Sequence, residues 1–255
     1  MPAEADERPG GADVAGSGGA EAAALRRDVA AACRILAAKG LVSGILGHVS
    51  ARWGEGMLLR CRGPRERGLM ASVPEDVRQL SLGGDAVDDV EGWAVPNEHP
   101  IHGELYRARP EVGAVVHAHP RSALLCGLAR LRPVACFGAF DIPAMRLALG
   151  GVPVYPRAVL ISRAELARDM VVAMAGRPAC ILYGHGITVV GATVAQATVT
   201  AVALDRLLGV TVELAQLGAH PARVPDADLA ELPDLGPAFN EGLAWQALLA
   251  ELGEA

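Results

Sequence analysis

At 255 residues and 51% hydrophobic composition, the chain can bury a substantial core, and its length fits one large domain or two small ones, of which we favour one. A formal charge of −6 argues against a general nucleic-acid or membrane-surface binder, which needs a cationic face to meet phosphate. A small-molecule partner fits that charge better, and no apolar run reaches the roughly 18 residues needed to cross a bilayer.

The first segment, "MPAEADERPGGADVAGSGG", is acidic and rich in Gly and Ala, without the cationic start and apolar stretch of a signal peptide. Residues 1–20 are therefore expected to form a disordered tail ahead of one domain over 21–255. From about Ala20, Leu25, Val29, Cys33, Leu36 and Ala37 recur at three- and four-residue steps, and the run ends at Gly40, which suits the residue just past a helix C-terminus. "LVSGILGHVSARW" and "GMLLRCRG" alternate and break at glycines, which suggests a hairpin closed by Gly63-Pro64. A helix from about Glu98 to Ala108 is followed by "GAVVHAH", read as a strand buried on both faces. Pro120 then suits the first turn of the next helix.

The stretch "PVACFGAFDIPAMRLALGGVPVYP" has prolines and glycines too closely spaced for long elements, so it should hold short strands and one brief helix. "SRAELARDMVVAMAGR" reads as a helix with Ser162 at the N-cap and Glu165 completing a capping box. "PACILYGHGITVVG" reads as strand, sharp turn at Gly184-His185-Gly186, and returning strand. A long apolar-faced helix follows, then a Pro-rich stretch and a last helix near 238–252. The pattern predicts an α/β fold, a single α/β/α layered domain around a mainly antiparallel or mixed sheet. The five cysteines, Cys33, Cys61, Cys126, Cys136 and Cys180, are odd in number and scattered, without C-x-x-C. They fit buried apolar side chains in a reducing cytosol, and the expected location is cytoplasmic.

Chemistry collects at histidines. In an extended chain His117 and His119 project from the same face, a geometry that suits a metal, although such a pair can also be one strand-capping and one solvated residue. His185 is the candidate third ligand, because glycines on both sides let the backbone turn sharply and leave the imidazole unobstructed. Three imidazoles would leave coordination positions open for substrate and would accept Zn, Mn, Fe or Co. His99 and His102, three apart on a predicted helix, are a competing ligand pair.

Together, "GLVSGILGHVSAR", "VPNEHPIHGELYRARPEVGAVVHAHP" and "ILYGHGITVVGATVAQA" resemble the class II aldolase/adducin family over roughly residues 22–220. The resemblance implies an α/β/α domain, commonly a homotetramer, with a divalent metal on the positions of His117, His119 and His185. It also implies an acidic proton shuttle, sometimes a fourth ligand, at Glu98. Two features depart from the sugar-phosphate members. His48 stands where they usually carry asparagine, and "LLRCRGPRERG" replaces the small hydroxyl and glycine residues that cradle phosphate there. Arg65 and Arg67 fit a solvated loop, whereas Arg60 and Arg62, two apart in a strand-like run, would share a face and could clamp a carboxylate. "RCRGPRERGL", "FGAFDIPAMRLALGGVPVYP" and "AELPDLGPAFN" look most like bacterial members that decarboxylate hydroxylated aromatic acids. That likeness implies a metal-dependent, non-oxidative decarboxylase of a dihydroxyphthalate, with Arg60 or Arg62 on a carboxylate, His48 orienting substrate and Glu98 delivering a proton. The alternatives are a sugar-phosphate aldolase or epimerase, or a non-catalytic adducin-like assembly domain.

Overall fold

The structure, a computed structural model, describes residues 14–254. The expected disordered tail lies outside the described residues for 1–13. From Val14 onward the backbone is already helical, about six residues before the periodic apolar pattern starts.

Helix α1 (Val14–Ala38) ends in the manner its glycine suggests. Gly40 adopts φ +75°, the Leu41 amide donates to the Leu36 carbonyl, and the Gly40 amide donates to the Ala37 carbonyl. These are the paired bonds of a Schellman motif, and they satisfy carbonyls that the helix leaves open. Strands β1 (His48–Trp53) and β2 (Gly56–Arg60) form the expected hairpin. Strand β3 (Val77–Ser81), which the sequence pattern does not reveal, pairs antiparallel with β2. Helix α2 (His99–Ala108) leads to β4 (Ala114–Ala118), in which every residue is buried as expected.

Helix α3 (Arg121–Leu128) takes Pro120 as its N-cap, one position before the first turn in which the sequence places it. The glycine- and proline-rich middle contains α4 (Ile142–Gly150) and the two-residue strand β5 (Val154–Tyr155). Helix α5 (Ala164–Met174) begins one residue later than expected. Its N-cap is Arg163 and no side chain caps it, so the Ser162–Glu165 capping box does not form. Strands β6 (Ala179–Leu182) and β7 (Gly186–Gly191) flank the three-residue turn around His185. The chain ends with α6 (Val194–Gln216), the short α7 (Asp226–Glu231), and α8 (Ala244–Glu251).

The strands form one mixed sheet in the order β3-β2-β1-β4-β7-β6-β5, antiparallel throughout except for the β5–β6 pair. Alternation along each strand sorts the core into two layers. Val49, Ala51, Val116, Ala118, Ile187 and Val189 face α1, α3, α4, α6 and α8. Met57, Leu59, Val115, Leu182 and Val190 face α2 and α5, meeting Ile101, Leu105, Leu166 and Met170. This is the expected α/β/α layering. Four of the cysteines are buried, Cys136 is half-buried, and all five are free thiols. Among the described residues no helix is long and apolar enough to cross a membrane.

Candidate metal centre

Register places the histidines. Val115 and His117 point to the same face of β4, the face covered by α2 and α5, and His119 continues that direction just past the strand end. On β1, His48 pairs with His117 and Ser50 with Val115, so these side chains share that face. The β6–β7 turn brings in His185. Gly184 takes φ +63°, and an ideal Cβ on Gly186 would overlap the Ala118 carbonyl oxygen, so both glycines are needed to seat the turn against the end of β4.

The remaining wall is the N-terminus of α2. Glu98 is its N-cap, yet its carboxylate does not cap the helix. Instead Oε1 accepts the Ile161 amide at 2.8 Å, which leaves Oε2 facing His117 Nε2 at 3.3 Å and His185 Nε2 at 3.4 Å. Glu98, His117, His119 and His185 thus offer four ligand atoms that all lie within 4.8 Å of one another, among the described residues the one such cluster.

These donors fit a divalent cation. His117 Nδ1 donates to the Ile187 carbonyl at 3.0 Å, which fixes the tautomer and turns the Nε2 lone pair inward. His119 Nε2 lies only 2.9 Å from that nitrogen. The two Nε2 atoms converge on one place: without an ion His119 Nε2–H can donate to His117 Nε2, and with one both nitrogens can ligate it together. Burial, followed by the neighbouring His117 and His185, pulls His119 down to about 3, so its imidazole is neutral, the form that binds metal. Burial alone would raise the Glu98 carboxyl, but the imidazoles of His117 and His185 beside Oε2 outweigh it and hold the group well below the usual carboxylate range. An N₃O set of this kind suits Zn, Mn, Fe or Co.

The competing His99/His102 pair does not converge. His102 turns inward to His48 and Ser50, whereas His99 packs its ring over Gly84.

The cluster opens on a cavity of about 140 Å³ lined by Ile45, Leu46, Gly47, His48, Arg60, Arg62, Pro96, Asn97, Glu98, His119 and Leu160. All three residues that the sequence offers for substrate binding, His48, Arg60 and Arg62, therefore meet at one place with Glu98 and His119. The two arginines are not equivalent. Arg60, at the end of β2 and only 2% exposed, is held by Glu66 at 2.6 Å, and Glu66 also accepts the Gly68 amide. Arg62, just beyond in an isolated bridge with Ala94, forms no ion pair among the described residues; the Nε of each arginine is buried without a partner. A larger cavity of about 520 Å³ continues past Arg60, between Arg65, Glu66, Arg67 and Trp93.

Several contributors escape a reading of the sequence. The Ile161 amide and Glu66 act through contacts made across loops, which carry no local signal. Ser50 and Tyr106 form a buried hydrogen-bond chain with His102. For Tyr106 a signal exists: Glu98, His102 and Tyr106 follow at four-residue steps and so lie on one helical face.

The residues 27–212 match the model of the family described as Class II Aldolase and Adducin N-terminal domain. A 3,4-dihydroxyphthalate decarboxylase of Terrabacter sp. strain DBF63 is 49% identical over 234 residues, covering 91% of this chain and 98% of that protein. A protein of the same name from Arthrobacter keyseri is 48% identical, covering 91% and 96%. Among solved structures, L-fuculose 1-phosphate aldolase from Glaciozyma antarctica PI12 superposes with a TM-score of 0.74 at 22% identity, covering 97% of this chain and 96% of that one, a likeness of fold. By the family match over residues 27–212 and these identities, the chain belongs to the class II aldolase and adducin N-terminal domain family.

Proposed function

We propose that this protein is a divalent-metal-dependent, non-oxidative decarboxylase, a carbon–carbon lyase that converts 3,4-dihydroxyphthalate to protocatechuate and CO₂ in the breakdown of aromatic acids. The observation that carries this reading is the meeting of the Glu98–His117–His119–His185 cluster and two arginines on one cavity. It is supported by near 50% identity to decarboxylases of that name over almost their full length. The metal would be held by the three histidines, with Glu98 close enough to join them. Bound there, it would supply a Lewis acid that stabilises negative charge on an oxygen beside the breaking bond.

The chain's own residues account for the rest. The carboxyl at ring position 2 is the one lost, because the hydroxyl at position 3 beside it can accept the electron density that the departing CO₂ leaves on the ring. With Oε1 tied to the Ile161 amide, Oε2 is the oxygen of Glu98 that exchanges protons. It takes the proton of the 3-hydroxyl as substrate binds, which suits a carboxyl held in its ionised form. The bond from C2 to the carboxyl carbon then breaks, its electron pair stays with the ring, and CO₂ leaves. Oε2–H returns the proton to C2, and the product oxygen regains its own from water. Arg62 holds the carboxylate at position 1, which is not lost. Arg60, engaged by Glu66, shapes the wall beside it.

The test is CO₂ release from 3,4-dihydroxyphthalate by the metal-loaded protein, set against formation of dihydroxyacetone phosphate from a ketose 1-phosphate. Cleavage of the sugar phosphate with no CO₂ from the phthalate would replace this reading by the aldolase one. An adducin-like, non-catalytic role is disfavoured because the complete ligand set is present. We also propose a cytoplasmic homotetramer, to be checked by sedimentation of the active enzyme; an active monomer would rule it out.

A further inference from the structure

Behind the cavity runs a closed chain of four buried side chains that the proposed chemistry does not use. Tyr106 OH lies 2.7 Å from Ser50 Oγ, Ser50 Oγ 2.6 Å from His102 Nδ1, and His102 Nε2 2.6 Å from His48 Nδ1. All four residues are buried, and only His48 reaches the cavity. Each link can hold one proton, so the hydrogens must all run one way or leave a buried group unsatisfied.

The two directions are not equal. If the hydrogens ran from His48 toward Tyr106, the tyrosine would accept from Ser50, and its own hydrogen would need a further acceptor. Among the described residues Ser50 is the one side-chain partner of that hydroxyl. If they run from Tyr106 toward His48, every hydrogen has an acceptor. Tyr106 donates to Ser50, Ser50 to His102 Nδ1, and His102 Nε2–H to His48 Nδ1. His48 Nδ1 is then occupied as an acceptor, and the ring's one proton sits on Nε2, the nitrogen left for the cavity.

We infer that His48 is held as the Nε2–H tautomer and presents a hydrogen-bond donor, never a lone pair, to a substrate oxygen, and that Tyr106, Ser50 and His102 are positioning residues that set this polarity. The consequence is a division of labour in the site. His48 can neither join the metal ligands nor act as a general base, and it recognises an anionic oxygen. Burial keeps both His48 and His102 well below the ordinary histidine value, in accord with neutral rings, and pushes the Tyr106 hydroxyl well above its ordinary value, in accord with a tyrosine that donates.

The proton positions rest on the geometry of the chain alone; recognition of a substrate oxygen rests on the function proposed above. The two are separated by measuring the first without substrate. Two-bond ¹H–¹⁵N correlation spectra of the intact, metal-loaded protein labelled at histidine report which nitrogens carry hydrogen, with the His48 signals identified by their loss in His48→Asn. The expected pattern is a bare Nδ1 and protonated Nε2 for both His48 and His102. A hydrogen on His48 Nδ1, or two on either ring at neutral pH, overturns the inference. In kinetics, His102→Leu removes the group that biases His48 and is expected to lower kcat/KM about tenfold with metal content unchanged. His102→Gln, whose amide can still donate to His48 Nδ1, recovers most of that loss. Equal losses in the two variants would show that His102 only fills space. Should the leucine variant fail to fold, the spectra of the unsubstituted protein decide the matter.

Discussion

Replacing Arg60 and Arg62 in turn by alanine separates two arginines that look equivalent in "LLRCRG". Arg60 is sealed in the wall and paired with Glu66, whose other oxygen, Oε2, is buried without a partner. Removing the guanidinium leaves that carboxylate partly buried and unpaired. We expect a stability loss of about 3 kcal/mol, the low end for a broken buried pair because the Glu66 side chain keeps 19% of its exposure. For a chain of this size that is a fall of roughly 6–12 °C in Tm. Arg62 has no ion pair to lose, so Arg62→Ala should melt close to the parent. It should instead lose one charge-assisted contact to the retained carboxylate, worth about 1.5–3 kcal/mol, or roughly 10- to 150-fold in kcat/KM. The assay compares CO₂ release from 3,4-dihydroxyphthalate and from 2,3-dihydroxybenzoate, which lacks that carboxylate. Arg62→Ala should suffer on the first substrate and hardly on the second. If Arg60→Ala shows the selective loss with its stability intact, or if Arg62→Ala is impaired equally on both compounds, the assignment of roles is wrong.

His117→Ala and His119→Ala should each abolish bound metal and turnover, since a site reduced to two imidazoles retains its ion poorly; full activity with metal retained in either would sink the centre, and elemental analysis beside the rate decides it. Glu98→Gln keeps an acceptor for the Ile161 amide but cannot carry the proton, so the metal should stay while the chemical step slows by roughly 10²-fold or more. Loss of the ion from that variant would make Glu98 an indispensable ligand. Gly186→Ala forces a methyl group onto the Ala118 carbonyl, so it should displace His185 and weaken metal retention, as measured by competition with a chelator. Wild-type retention there would mean that the turn has room to spare.

The sheet, its helical layers and the candidate ligand set are legible because each leaves a local trace. A continuous apolar run marks β4 as buried on both faces, His-x-His places two imidazoles on one side of it, and paired glycines announce the turn at His185. The failures have physical causes as well. Strand β3 is short, half-buried and set between two turns, so its alternation is too brief to stand out. Ser162 has the right type and spacing for a capping box, but the helix starts one residue later, with Arg163 at the N-cap, and so the box does not form. The Arg60–Glu66 pair spans a loop whose path no local pattern predicts, and so the two arginines read as equals until that loop is in place.

Helix α2 shows how the site is assembled from one periodicity. Glu98 at its N-cap, His102 one turn on and Tyr106 one turn further lie along a single stripe facing β1 and β4. The first reaches His117 and His185, and the other two reach His48 and Ser50 on the neighbouring strand. His48 is in turn registered against His117, with ring centroids 4.9 Å apart. One helix therefore sets both the carboxylate proposed to exchange protons and the chain inferred to orient the donor. A substitution that shifts α2 along its axis should disturb proton transfer and substrate orientation together, whereas His102→Leu, which leaves the helix in place, should disturb orientation alone. Rates of the chemical step measured in single turnover, beside the tautomer of His48, distinguish the two. If His102→Leu slows proton transfer as severely as Glu98→Gln does, the separation of roles along α2 does not hold.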